Sequence, residues 1–356
     1  MLPAAAVPWL AVRAPAEVIS AVTTRRLPRP GPAFVGRTIS AMNGQPTRPG
    51  LGLNLPTWPR ADGTVATWPQ IRSLARDAEA LGVDRLWVPD HLVRVTPSGR
   101  TVGFRECWTI LTATAEATER IGLGPFVACA GFRNPGLLAR MADTLDEVSG
   151  GRLVLGIGAG VPATDRSWRM FGFDEARPVG RFAESVEVVV RLARGETVTF
   201  EGEHVRLEGA TLEPRGPRPA GMPVWAAARG ERTMDVAARW ADAVNVNTPL
   251  ATVADAEEAV AMAEAACRRV GRDPSTLAVT GWGRISLDSR GAGLARPGWL
   301  VGSPEEVTAT LVAMASAGLS DISLYLGSDD DPGPLPALTP LALERFAPVL
   351  EAFGAP

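Results

Sequence analysis

The run PGLLARMADTLDEVSGGRLVLGIGAG, residues 135–160, decides the fold. Its first part, 135–152, reads as a helix closed by Gly150 and Gly151, since glycine ends a helix at little steric cost. Its second part, LVLGIGAG (153–160), is a short apolar run ending in glycines and reads as a strand. An open dinucleotide-binding sheet is the rival architecture. Its fingerprint is missing, because GIGAG (156–160) lacks the GxGxxG spacing and no acidic residue follows a second strand suitably.

The same alternation extends outward from this run. Upstream, LGLNL (51–55) is strand-like, and WPQIRSLARDAEALG (68–82) places Ile71, Leu74, Ala75, Ala78 and Leu81 at helical spacing before Gly82. DRLWV (84–88) and IGLGPFVAC (121–129) are strands flanking a helix at 108–122. Downstream, an irregular excursion at 161–175 precedes a helix around 178–194, and TVTFEGEHVRL (197–207) alternates like a small hairpin turning at Glu201–Gly202. PVWAAA (223–228), ADAVNVN (241–247), LAVTGWGRISL (277–287) and DISLYLG (321–327) are strands, followed by helices at 231–240, 252–271, 304–317 and 339–353. Ser303 and Glu306 form a capping box around Pro304. Eight strand–helix units in strict order imply a parallel sheet closed into a (βα)₈ TIM barrel of the α/β class, with a small β-hairpin insertion after the fourth unit.

Composition narrows the function classes. The 356 residues carry a formal net charge of −3, so nucleic acid and anionic membranes are not expected partners. All 36 basic residues are Arg, which reads as coding bias. Cys107, Cys129 and Cys267 lie far apart with no CxxC pair, so no metal site or disulfide framework is expected; buried thiols in a reducing cytoplasm are. Residues 1–48 are proline-rich and aperiodic and read as a flexible extension, with Met42 a candidate start codon and no secretory signal evident. The barrel domain is assigned to 49–356.

A barrel of this kind does its chemistry in the loops after the strands. His91 follows Asp90 at the end of the second strand, and imidazole is the side chain best matched to proton transfer near neutral pH. His204 falls in the alternating hairpin and reads as a surface or pairing residue. The loop ARGERT opens a helix directly after a strand, so its free N–H groups, with Arg229, Gly230 and Arg232, suit an anion. Trp58, Trp108, Phe132, Trp168, Trp225 and Trp282 are candidates for an apolar pocket, and Tyr325 defaults to core.

WVPDHL (87–92), ATERIGLG (117–124), FRNPGLLARMADTLDEVSGGRLVLGIGAG (132–160), GETVTFEGEHVRL (195–207), PVWAAARGERTMDVAARWADAVN (223–245) and VGSPEEVTATLVAMASAGLSDISL (301–324) resemble the luciferase-like superfamily, especially its members using the deazaflavin coenzyme F420. The resemblance implies a flavin or deazaflavin ring across the barrel mouth. It implies that Asp90 and His91 contact the ring and take a substrate proton, with Asp90 steering His91. Phe126, Val127, Ala128 and Cys129 correspond to a strained, often cis, segment behind the ring. Gly158, Ala159 and Gly160 match the loop beside it, and Ala227, Ala228, Arg229, Gly230 and Glu231 match the phosphate loop. Trp58, Trp108, Val161 and Trp282 are the expected substrate pocket. Val161 stands where sugar-phosphate-oxidising members carry Glu, and with no Lys in the chain that substrate is not expected.

The leading expectation is an F420-dependent reductase or dehydrogenase passing a hydride to or from a small, fairly apolar organic molecule. The alternatives are an FMN-dependent monooxygenase using reduced flavin and O₂, and a non-catalytic flavin-binding protein. A homodimer, and an F420 or flavin reductase as supplier, follow from the resemblance.

Overall fold

The computed structural model describes residues 48–60, 62–96, 98–287, 298–327 and 336–353, so the expected extension up to residue 47 lies outside the described residues. Eight strands form a ring: β1 (Gly50–Asn54), β2 (Arg85–Val88), β3 (Gly122–Pro125), β4 (Leu155–Gly158), β5 (Val224–Ala228), β6 (Ala243–Pro249), β7 (Ala278–Ser286) and β8 (Leu319–Gly327). They pair in parallel in the order β3-β2-β1-β8-β7-β6-β5-β4. A bridge from Leu123 to Leu153, and the pairing of Ala128–Cys129 with Ile157 and Gly158, close the ring between β3 and β4. The expected TIM barrel is the architecture found.

Around it run α1 (Trp68–Ala80), α2 (Cys107–Ala117), α3 (Pro135–Val148), α4 (Ser167–Phe171), α5 (Pro178–Ala193), α6 (Glu231–Trp240), α7 (Val253–Val270), α8 (Pro304–Ser316) and α9 (Pro340–Ala352). Local chemistry sets their ends. Asn134 caps α3 by accepting from the N–H groups of Gly136 and Leu137, and the Ser303–Glu306 box caps α8 in both directions. The strand residues that face outward, such as Leu53, Leu86, Leu123, Ile157, Val244 and Leu324, merge with Ile71, Leu111, Leu138 and Val189 of the helices into one core. Strands buried on both faces read as nearly continuous apolar runs, which made them visible in sequence.

The inward faces fill the barrel. Trp87 and Trp225 pack with centroids 5.2 Å apart and form a small cluster with Val154 and Ala243. Their bulk needs glycine opposite: a Cβ on Gly52 would sit 2.0 Å from Trp87 Nε1, and one on Gly124 2.8 Å from Trp87 Cζ3. Toward the strand N-termini, Arg85 pairs with Asp321, whose carboxyl burial pushes up to about 6 despite that arginine.

Four local expectations need correction. The third strand breaks after Pro125, where pairing passes from β2 to β4 across the cis Phe126–Val127 bond. The second helix stops at Ala117, because Arg152 takes the carbonyls of Ala115 and Thr118 at 2.7 and 3.1 Å. The later hairpin pairs Val198–Glu201 with Arg206–Ala210, so its turn falls at 202–205. The stretch 161–175 contains α4, and a second hairpin, Val93–Val95 with Thr101–Gly103, follows β2.

Candidate active site

The strand C-termini surround a cavity of about 650 Å³. Asp90, His91, Phe126, Val127, Cys129, Gly158, Ala159, Gly160, Val161, Ala227, Ala228, Arg229, Gly230, Glu231 and Trp282 line it together. Ala128 is fully buried behind that wall. Trp58 instead lines an adjoining lobe of about 350 Å³, which shares His91, Phe126, Val161, Asp165 and Tyr325 with the larger one. Trp108 lines neither lobe; it is buried, with the Arg133 guanidinium 5.8 Å from its ring centroid. Of the other aromatic candidates, Trp225 is in the barrel interior and Trp168 lies beneath Gly131 and Gly160.

Asp90 does not steer His91. Its carboxylate accepts from the Cys129 N–H at 2.9 Å and from Arg133 at 2.5 and 3.1 Å. Burial alone would weaken the charge on Arg133, but Asp90 outweighs it and holds that pKa up. The pair pins the 126–133 segment to the end of β2, which makes Asp90 a positioning residue.

The partner of His91 is Asp165. His91 Nδ1 and Asp165 Oδ2 are 2.6 Å apart, with the imidazole 44% exposed and the carboxylate 6% exposed. Burial pushes the Asp165 carboxyl up, and the hydrogen bonds from His91 and Ser167 more than offset this, leaving it below the usual carboxylate range. Ser167 also accepts, at its hydroxyl, from the N–H groups of Leu92 and Val93 at 3.2 Å each, so the loop after β2 and the start of α4 are tied together. With Nδ1 engaged, Nε2 is the nitrogen left to meet a ligand.

One wall is made of small residues. A Cβ on Gly158 would come 2.6 Å from Val127 Cγ2, and one on Gly160 2.7 Å from Cys129 Sγ. Such a surface lets a flat ring approach backbone closely. The Cys129 thiol beside it is pushed up to about 12 by burial, so it stays neutral. At the far end, α6 begins at Glu231, and among the described residues the backbone N–H groups of Arg229 and Gly230 reach only Thr233 Oγ1, at 3.2 Å each. Arg232 and Thr233 extend this anion-suited loop, while Glu231 faces Arg269 of α7 at 3.7 Å. Volume, small-residue wall and anion loop together fit a flavin-class cofactor.

Sequence reasoning missed several lining residues. Asn245, Asn247 and Tyr325 lie on strands whose inward face was legible, had the period of two been followed into the mouth. Tyr325, expected in the core, contacts Trp58 and Trp282 at 5.6 and 5.8 Å and forms part of both lobes.

The chain is similar to several known proteins in sequence and in fold. A 5,10-methylenetetrahydromethanopterin reductase of Archaeoglobus fulgidus is 31% identical over 211 residues, covering 59% of this chain and 58% of that protein. A phthiodiolone/phenolphthiodiolone dimycocerosates ketoreductase of Mycobacterium sp. (strain JLS) is 30% identical over 243 residues, covering 61% and 62%. The chain thus spans about three fifths of the length of these curated relatives. In fold it is similar to the coenzyme F420-dependent tetrahydromethanopterin reductase of Methanopyrus kandleri, with TM-score 0.66, 21% identity and coverage of 86% and 99%. The EDTA monooxygenase of Chelativorans sp. BNC1 gives TM-score 0.69 at 16% identity, covering 86% and 95%. The family model for luciferase-like monooxygenases matches residues 50–292, and the chain belongs to that family.

Proposed function

We propose that the chain is an F420-dependent oxidoreductase that moves a hydride between the deazaflavin and a small organic substrate with a largely apolar body. The observation that carries this reading is the His91–Asp165 pair, set where the two lobes meet. The larger lobe takes the cofactor and the smaller one the substrate, so the proton-handling group faces both. The reductase and ketoreductase names of the curated relatives support the same reaction class.

When bound, the deazaflavin supplies a carbon centre that gives or accepts a hydride and does little oxygen chemistry. The residues of this chain do the rest. Gly158, Ala159, Ala227 and the Phe126–Cys129 segment would hold the ring, and Arg229, Arg232 and the N-terminus of α6 would hold the phosphate. Asp165 fixes the tautomer of His91 and stabilises its protonated form. Nε2 then gives a proton to the substrate oxygen on reduction or takes one on oxidation. Trp58, Phe104 and Tyr325 exclude water around that oxygen.

The matched family is named for monooxygenases, which favours a second reading in which the larger lobe takes reduced FMN. A separate reductase would supply reduced cofactor in that case.

The test follows consumption of reduced coenzyme F420 with a panel of aryl and alkyl ketones and aldehydes. Wild-type protein should turn over part of the panel, whereas His91→Ala and His91→Asn should lose roughly 100-fold or more, with cofactor binding retained. Full activity in both variants would remove His91 from the mechanism.

A further inference from the structure

The substrate lobe is not wholly apolar. Trp58 and Phe104 form two of its sides, yet Arg94 and Arg166 also line it. Among the described residues neither guanidinium meets a carboxylate; Arg166 is exposed, whereas Arg94 is half-buried, a setting in which other arginines here are paired, as Arg133 with Asp90 and Arg191 with Glu196. Arg94 makes only a long hydrogen bond, 3.5 Å, to the Pro59 carbonyl. Asp165 is the carboxylate that lines the lobe, and it is already engaged. Its Oδ2 faces His91, and its Oδ1 accepts from the Ser167 N–H at 2.8 Å.

Two uncompensated guanidinium groups beside an aromatic wall form a selective arrangement. In a partly enclosed lobe they raise affinity for an oxyanion through charge-assisted, two-pronged hydrogen bonds. The half-buried Arg94 also penalises neutral analogues, which leave its donors without an acceptor. The geometry points to a substrate whose apolar body ends in an anionic group, carboxylate or phosphate, held by Arg94 and Arg166 while its reacting end faces His91. The assignment rests on reading the smaller lobe as the substrate site, and it adds to that reading the acid group that decides selectivity.

The test uses the full-length chain without cofactor, so a wrong cofactor assignment leaves its outcome untouched. Tryptophan fluorescence is titrated with 4-phenylbutanoate, methyl 4-phenylbutanoate and 2-phenylethyl phosphate. At least one acid should bind roughly 10-fold or more tightly than the ester, the factor one charge-assisted hydrogen bond supplies. Which acid binds more tightly tells carboxylate from phosphate. The double substitution Arg94→Gln with Arg166→Gln should erase the preference and leave ester affinity as it was. Lysine at both positions keeps the charge and should retain much of it, which separates recognition from misfolding. Equal affinity for acids and ester in the wild type, or a preference that survives the double glutamine variant, overturns the assignment.

Discussion

His91 and Asp165 lie 74 residues apart in the chain and 2.6 Å apart in space, Nδ1 to Oδ2. The contact joins the loop after β2 to the loop before α4, and it puts a buried carboxylate behind a half-exposed imidazole at the junction of two lobes. Asp165→Asn keeps the shape but removes the charge that supports the protonated ring. Turnover should fall roughly 10²- to 10⁴-fold with cofactor affinity little changed. Steady-state rates alongside a cofactor titration check this, and an Asn variant as fast as the wild type would refute it.

Asp90 and Arg133 should behave as structure rather than chemistry. Arg133→Met leaves the buried Asp90 carboxylate without its cation, and breaking such a pair costs about 3–5 kcal/mol. Urea denaturation should show that loss, whereas His91→Asn should unfold near the wild-type midpoint. Equal stability of Arg133→Met and wild type would mean that the pair does not hold the 126–133 segment.

The small-residue wall predicts a steric effect on the cofactor. A side chain at Gly158 would press on Val127 and, at 3.4 Å, on the Ala227 Cβ, so Gly158→Val should reduce cofactor affinity at least 10-fold. The comparison is with Gly150→Ala, where a Cβ meets nothing within 4 Å but the φ of +67° adds strain remote from the cavity. Cofactor binding should separate the two variants, and identical affinities would argue against a ring on that wall.

Glu79 gives a pH-dependent contribution to stability. Burial raises its pKa, but the N–H groups of Glu119, Arg120 and Ile121, at 2.7–2.9 Å from Oε1, outweigh that and lower it. A carboxyl lowered in the folded state stabilises above its unfolded value near 4.5 and loses that contribution as pH falls through the folded value. Glu79→Gln should therefore cost about 1 kcal/mol at pH 7, shifting Tm by roughly 1–2 °C. The gap to the wild type should close as pH falls below 4.5 and through the lowered folded value. A gap independent of pH would assign the effect to shape alone.

The barrel was legible because most strands are largely buried on both faces and the long helices carry an apolar face, as Leu53 and Ile71 illustrate. His91, the small-residue wall and the loop at Arg229 were reached by the position rule for barrels together with resemblance. Asp165 was not assigned, because it lies in an aperiodic stretch and its pairing exists only once the loops fold together. Asp90 was given its role by adjacency in sequence, and its true partner, Arg133, is fixed by the turn that follows Cys129. The misplaced hairpin turn reflects a Glu-Gly dipeptide taken as a two-residue turn where the Gly202 N–H donates instead to the Val205 carbonyl.

The most direct measurement is a paired titration of the full-length chain with coenzyme F420 and with FMN, read through quenching of tryptophan fluorescence. Trp282 lines the cofactor lobe, and Trp87 contacts Phe126 at 5.4 Å, so occupancy should be reported strongly. The account predicts saturable quenching by coenzyme F420 at lower concentration than by FMN. Tight FMN binding with no response to coenzyme F420 would contradict it.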